Sequence, residues 1–418
     1  MSIYFIIIIG AIIFEYLLSF IVKILNIKAL DPNVPKEFKD IFDQDKYTKA
    51  QEYTKTNTSF SFITSTFSLV LSLSFIFGGF YNIIDLWIRN NFGYTDDKII
   101  GLCFFGILFI IIDLLNTPFS LYKTFVIEEK YGFNKTTLGT FVMDKIKGYF
   151  LIILIGAPVL YLILHFFESF GDYAWLYVWA FLVAFSVIMQ PIFNTFIAPM
   201  FNKFTPLDQG ELLDKIKAYL KQVNFPVKKL EVVDGSKRSS HSNAYFSGIG
   251  KNKRIALFDT LVEQMDDEEI VSVIAHEVGH YKLKHIYSGI FLSAIQSGIM
   301  LYLMSLFLKN EDLFKVFYME NISIYASLLF FSMLYAPISL LLGIFFTYIS
   351  RRNEFAADQY SIETAQMPES MISSLKKLSK ENLSNLTPHS LNVFLNYTHP
   401  PVLERIKAIN SQKNWIKP

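Results

Sequence analysis

Apolar residues along this 418-residue chain gather into seven long runs, at about 3 to 24, 59 to 81, 99 to 116, 148 to 167, 174 to 193, 286 to 308 and 322 to 349. As a helix, each is long enough to cross roughly 30 Å of hydrocarbon, which takes about 20 residues. Residues 194 to 285 and 350 to 418 break the pattern with mixed polar and apolar spacing. The expected organisation is a membrane part with five spans, 1–193; a first soluble segment, 194–285; a two-span hairpin, 286–349; and a second soluble segment, 350–418. The two soluble segments make one split domain of ordinary size.

Inside that domain, residues 210–223 have the spacing of an amphipathic helix and 230–233 read as a short strand. Residues 244–246 and 254–258 pair as a small hairpin around Gly248 and Gly250. Residues 266–285 read as a helix that runs on into span six. Its opening acids, Asp266, Asp267, Glu268 and Glu269, suit the positive end of a helix dipole.

Composition agrees with a membrane protein: 52% of residues are hydrophobic, 42 are Phe, only 18% are charged, and the mean hydropathy is +0.35. A formal charge of +1 gives no electrostatic reason to expect nucleic acid, so no nucleic-acid partner is expected. The one cysteine, Cys103, excludes an internal disulfide or a Cys-rich metal site. The first apolar run has no basic residue before it, carries Glu15 midway and lacks a small-residue cleavage pattern, so it reads as a retained span. Lysines crowd the loops after spans one (28, 36, 39, 46, 49, 55) and three (123, 130, 135, 145, 147). That places those loops, the soluble domain and the C-terminal tail in the cytoplasm, with the N-terminus outside or lumenal. Glu15 and Asp113, within spans, each cost about 2.5 to 3.5 kcal/mol if they face lipid, so they should face protein or water.

The chemistry begins with His276-Glu277-Val278-Gly279-His280. Two imidazoles at i and i+4 share one helical face and can grip one zinc ion, with Glu277 beside it as general base. Catalytic zinc takes three protein ligands, and Glu354 is the candidate for the third. Spans six and seven return the chain to the membrane face it left, so His280 and Glu354 each emerge roughly 8 to 9 Å above the same boundary if the helices continue. Asp358 lies one turn beyond Glu354, where it can accept the second ring proton of a ligand histidine and fix its tautomer. His399, in Tyr397-Thr398-His399-Pro400-Pro401, is the candidate donor to a tetrahedral oxyanion. His241, His285 and His389 are alternatives for that role, though each reads first as an ordinary polar or interfacial residue, and His165 reads as a packed or chamber-facing residue of a span.

Together these features resemble the type I CAAX prenyl proteases, integral-membrane zinc metallopeptidases of the gluzincin group. The likeness extends beyond the zinc string to residues 124–136 (TFVIEEKYGFNKT), 201–207 (FNKFTPL), 233–239 (VDGSKRS), 241–246 (HSNAYF), 254–260 (RIALFDT), 353–358 (NEFAAD) and 399–405 (HPPVLER). It implies an α-helical integral membrane protein whose seven transmembrane helices form a barrel around a chamber, capped by a small α+β zinc metallopeptidase domain. It also implies one Zn2+ per chain, and substrate binding at Asn243 and Ala244 on an edge strand. The implied substrates are peptides or proteins, either prenylated C-terminal tails or membrane proteins, met at a bacterial inner membrane or the endoplasmic reticulum membrane. Asp358 is assigned to orientation, because a carboxylate held by an imidazole is poorly placed to reach a leaving amine. Two other readings compete: a quality-control protease of the same chemistry, and a seven-helix transporter with a regulatory domain.

Overall fold

The computed structural model describes residues 2–92, 96–248 and 253–412. Among these described residues, six helices are long and apolar enough to cross a membrane: Ile3–Lys28, Gln44–Phe77, Asp97–Tyr131, Leu138–Ser169, Gly171–Phe201 and His285–Ser305. A seventh span is a pair, Ile324–Leu334 and Ala336–Ala365, bent by 58°. The bend has a local cause, since Pro337 has no N–H to continue the first helix and its ring crowds the turn before it.

Span two starts well before its apolar run, because residues 44 to 58 continue the helix into water, opened by an Asp43 cap on the Lys46 N–H (2.6 Å). It ends at Gly79, whose φ of +62° turns the chain into a helix absent from the sequence reading, Phe80–Phe92. Spans three, four and five each contain a π-helical segment, at Lys123–Glu128, Ile152–Gly156 and Phe193–Ile197.

The spans share little packed core: only 6 to 22% of residues in their apolar stretches are buried in the protein. Solid packing sits at the two ends instead. At the far end, Ile8, Ile76, Ile88, Phe104, Phe317 and Phe330 form one cluster. At the other, the first loop (Phe38, Phe42, Tyr47) and the end of span three (Ile127, Tyr131, Phe133) pack against the C-terminal helices through Met371, Leu375 and Ile406. The lysine-rich loops therefore lie on the same side as the soluble domain. Asp113 is met by Lys145 Nζ (2.8 and 2.7 Å) and the Tyr149 hydroxyl (2.5 Å), an interhelical answer to its burial cost. Glu15 lines a cleft of about 200 Å³ with Pro337 and Leu341.

The soluble domain holds a four-stranded sheet in the order β1-β2-β4-β3: β1 Phe204–Pro206, β2 Lys229–Val233, β3 Ala244–Ser247 and β4 Arg254–Phe258. The β2 and β4 pair is parallel; the other two are antiparallel. The expected hairpin of β3 and β4 forms, although Gly250 in its turn lies outside the described residues. β1 and β3 are the two edge strands of this sheet.

Candidate metal and catalytic site

Two helices build the site. The first, Asp267–Lys282, opens with a reciprocal cap in which Asp266 accepts from the Glu269 N–H (3.0 Å) and Glu269 accepts from the Asp266 N–H (2.9 Å). Its apolar residues Ile270, Ile274, Ala275 and Val278 pack with Ile255, Leu257 and Leu261 in the domain core. Contrary to expectation it does not run into span six. It stops at Leu283, and Lys284 takes the left-handed conformation (φ +62°) before a new helix starts at His285.

The second is Ala336–Ala365, which runs unbroken from the bend through Glu354 and Asp358. The two cross very closely at Gly279: a Cβ there would sit 3.2 Å from the Ala357 Cα, the Ala357 carbonyl oxygen and the Tyr360 Cβ. Glycine at this position is what lets the ligand-bearing faces meet.

At the crossing three donor atoms converge. His276 Nε2 and His280 Nε2 are 3.1 Å apart, His276 Nε2 lies 3.5 Å from Glu354 Oε2, and His280 Nε2 lies 3.3 Å from Glu354 Oε1. Ligands at about 2.0 to 2.1 Å in a tetrahedron are separated by about 3.3 to 3.4 Å, so the triangle has the size a zinc ion requires. The donor set, two imidazoles and a carboxylate with one direction left open, also fits catalytic zinc.

Supporting contacts fix these atoms. His276 Nδ1 is 2.8 Å from Asp358 Oδ1. Arg405 clamps the same carboxylate through Nε (2.7 Å) and Nη2 (2.5 Å) and reaches within 3.5 Å of Glu354. Burial pulls the His276 imidazole down, but the Asp358 and Glu354 carboxylates outweigh it and lift His276 to about 9. Burial raises the Glu277 carboxyl, against which the Phe246 backbone N–H of the edge strand and the two histidines act.

His399 Nε2 lies 3.3 Å from Glu354 Oε1, two-thirds exposed at the rim. Asn243 and Ala244 stand where β3 begins. The Asn243 carbonyl accepts from the Phe258 N–H (3.0 Å) and its side chain from the Ala244 N–H (2.8 Å). Three other histidines serve elsewhere: His241 stacks on Phe133 and meets Asn382, His389 caps a short helix, and His165 faces Ser169 in span four.

Two neighbours went unread in the sequence. His285, expected to be an ordinary polar residue, places Nδ1 3.0 Å from His280 Nδ1. It stands to His280 as Asp358 does to His276, and only the turn at Lys284 brings it there. Arg405 belongs to the quoted 399–405 stretch, but nothing local signals its partner.

Known proteins are similar to this chain in sequence and fold. Residues 23–203 match the family model described as CAAX prenyl protease N-terminal, five membrane helices, and residues 206–413 match peptidase family M48. A CAAX prenyl protease 1 homolog of Arabidopsis thaliana is 35% identical, covering 97% of this chain and 97% of that protein. The Saccharomyces cerevisiae CAAX prenyl protease 1 is 32% identical, covering 92% and 90%. The crystal structure of S. mikatae Ste24p superposes with a TM-score of 0.93 at 31% identity, covering 98% of this chain and 100% of that one. Neither the transporter nor the quality-control reading is favoured by these likenesses. With a family model over each half and relatives along nearly its whole length, the chain belongs to peptidase family M48 and is an integral-membrane zinc metalloprotease.

Proposed function

We propose that the chain is an endopeptidase that removes C-terminal residues from prenylated CAAX tails, using one zinc ion held by His276, His280 and Glu354. The observation that carries this reading is the convergence of three donor atoms beside Glu277 and an open strand edge. The substrate class comes from the names of its relatives in plants, animals and yeast.

When bound, zinc supplies Lewis acidity toward the scissile carbonyl and the attacking water. The rest belongs to the chain. Glu277, in a setting dry enough to raise its proton affinity, accepts the water proton and passes it to the leaving amine. Asp358, clamped by Arg405, holds His276 with Nδ1–H outward and Nε2 facing the ion; His285 does the same for His280. His399 donates to the oxyanion that develops on the carbonyl. The substrate backbone lies along β3. Because the Asn243 carbonyl bonds to β4, alternation turns the backbone groups of Ala244 and Phe246 to the open edge.

The positive-inside pattern, and the packing of the lysine-rich loops against the domain, support a catalytic domain on the cytoplasmic face. The test is terminal-fragment proteomics in cells carrying wild type or Glu277→Gln. Uncut prenylated tails should accumulate in the variant. Identical fragments in both would overturn the assignment.

A further inference from the structure

His399 is far more exposed than His276, His280 or Glu354, so packing does little to hold it. Yet a donor to a developing oxyanion works only if it is fixed before the carbonyl arrives. The chain on either side of His399 supplies that fixation, and both anchors lie on the helix that carries Glu354.

The anchor before His399 is Arg351. Its Nη1 donates to two carbonyls, those of Val393 (2.9 Å) and Tyr397 (2.7 Å). Val393 lies in the last turn of the helix Ser390–Asn396 and Tyr397 follows it, so the guanidinium puts a cation at the negative end of that helix and pins the chain two residues before His399. The other end of the same short helix hangs from span one, where Asn26 Oδ1 accepts from the His389 N–H and from Asn392 Nδ2 (both 3.1 Å).

The anchor after His399 is the Arg405 clamp on Asp358. Pro400 and Pro401, with φ fixed by their rings, stiffen the chain between His399 and that clamp. Arg351, Glu354 and Asp358 stand at i, i+3 and i+7 of one unbroken helix, hence on one face. His399 is strung between points one turn to either side of the metal ligand. Its ring has a partner of its own, the Thr398 hydroxyl, 3.0 Å from Nδ1. When that hydroxyl donates, the ring proton stays on Nε2, the nitrogen that faces Glu354.

We infer that Arg351 is a positioning residue for the oxyanion donor: it ties His399 to the same rigid helix as Glu354, so the donor and the metal ligand keep one spacing. The inference rests on the peptidase reading and on His399 as the donor. Arg351 acts through His399 and takes no part in the chemistry itself.

The test uses the purified, zinc-loaded full chain with a farnesylated CAAX peptide and its unprenylated twin, and is read on whichever is cut. Arg351→Met should lower kcat about tenfold to a hundredfold with KM and zinc content kept, since a misplacement of about 1 Å can lose that much. Arg351→Lys, which keeps a cation near the two carbonyls, should recover part of the rate. Thr398→Val reaches the ring without touching the helix and should also lower kcat with KM kept. In the His399→Ala background neither Arg351→Met nor Thr398→Val should reduce kcat further, because the group they place is gone. Losses that multiply in that background, or full kcat in Arg351→Met, refute the positioning role while the peptidase reading stands. Full kcat in His399→Ala refutes His399 as the donor, and the inference falls with it. If zinc-loaded wild type cuts neither peptide, the peptidase reading fails and takes the inference with it.

Discussion

The two ends of the molecule each bury an arginine and carboxylate network, to different effect. At the far end Asp85 is fully buried and every partner is a donor: Arg89 Nε (3.2 and 3.1 Å), Asn321 Nδ2 (3.1 Å) and the Tyr325 hydroxyl. Arg89 also reaches Asp97 (3.1 Å). This network is complete in itself. At the soluble end Arg405 and Asp358 form a similar pair, but beside it two imidazoles and a carboxylate point their ligating atoms at one another. The electrostatic pull of that arrangement is visible in the elevated His276. A buried ion pair alone thus says little about function, and convergent ligands without an intervening donor say a great deal.

The contrast breaks first at Glu277. Changing it to Gln should lower peptide cleavage by about 10² to 10⁴-fold with zinc content and melting temperature kept, as read by peptide turnover, metal analysis and thermal scans. At the far end Arg89→Ala should do the reverse. Leaving Asp85 buried beside a missing cation costs about 3 kcal/mol, the lower part of the range for broken buried pairs because Arg89 is partly exposed. The melting midpoint should drop, while zinc per folded molecule stays the same. Asp358→Asn tests whether the pair near the ligands acts through the metal: zinc affinity by competition with a chelator should fall about 10 to 100-fold. An unchanged affinity would make that pair as purely structural as its far-end counterpart. His285→Phe should give the smallest change, a loss of about tenfold in the same assay, because His280 keeps its ring and forfeits only its Nδ1 partner.

Much of this was legible in residue order. Long apolar runs give the spans because the bilayer sets their length, and capping acids locate the helix that carries His276 and His280. The hairpin of spans six and seven already suggests that Glu354 returns to them. What escaped depends on contacts between distant segments or on single backbone angles. Residues 44 to 58 are too polar to read as part of span two, yet helix continues through them once nucleated. Phe80–Phe92 packs Tyr81, Asp85 and Ile88 inward and leaves Ile83 and Trp87 exposed, so no long apolar run announces it. β1 is three residues long, and only its neighbour β2 makes it a strand. His285 is off the face shared by His276 and His280, and Arg405 meets Asp358 across the fold.

The left-handed residue at Lys284 divides the mechanical duties of the two ligand-bearing helices. Glu354 sits on a stiff lever that extends from within the bilayer, whereas His276 and His280 sit beyond a swivel. When the surrounding lipid thickens or thins, spans adjust by tilting. Lys284 leaves a joint between span six and the histidine-bearing helix, whereas span seven is continuous with the helix that bears Glu354, so the two parts of the donor set are coupled to their spans differently.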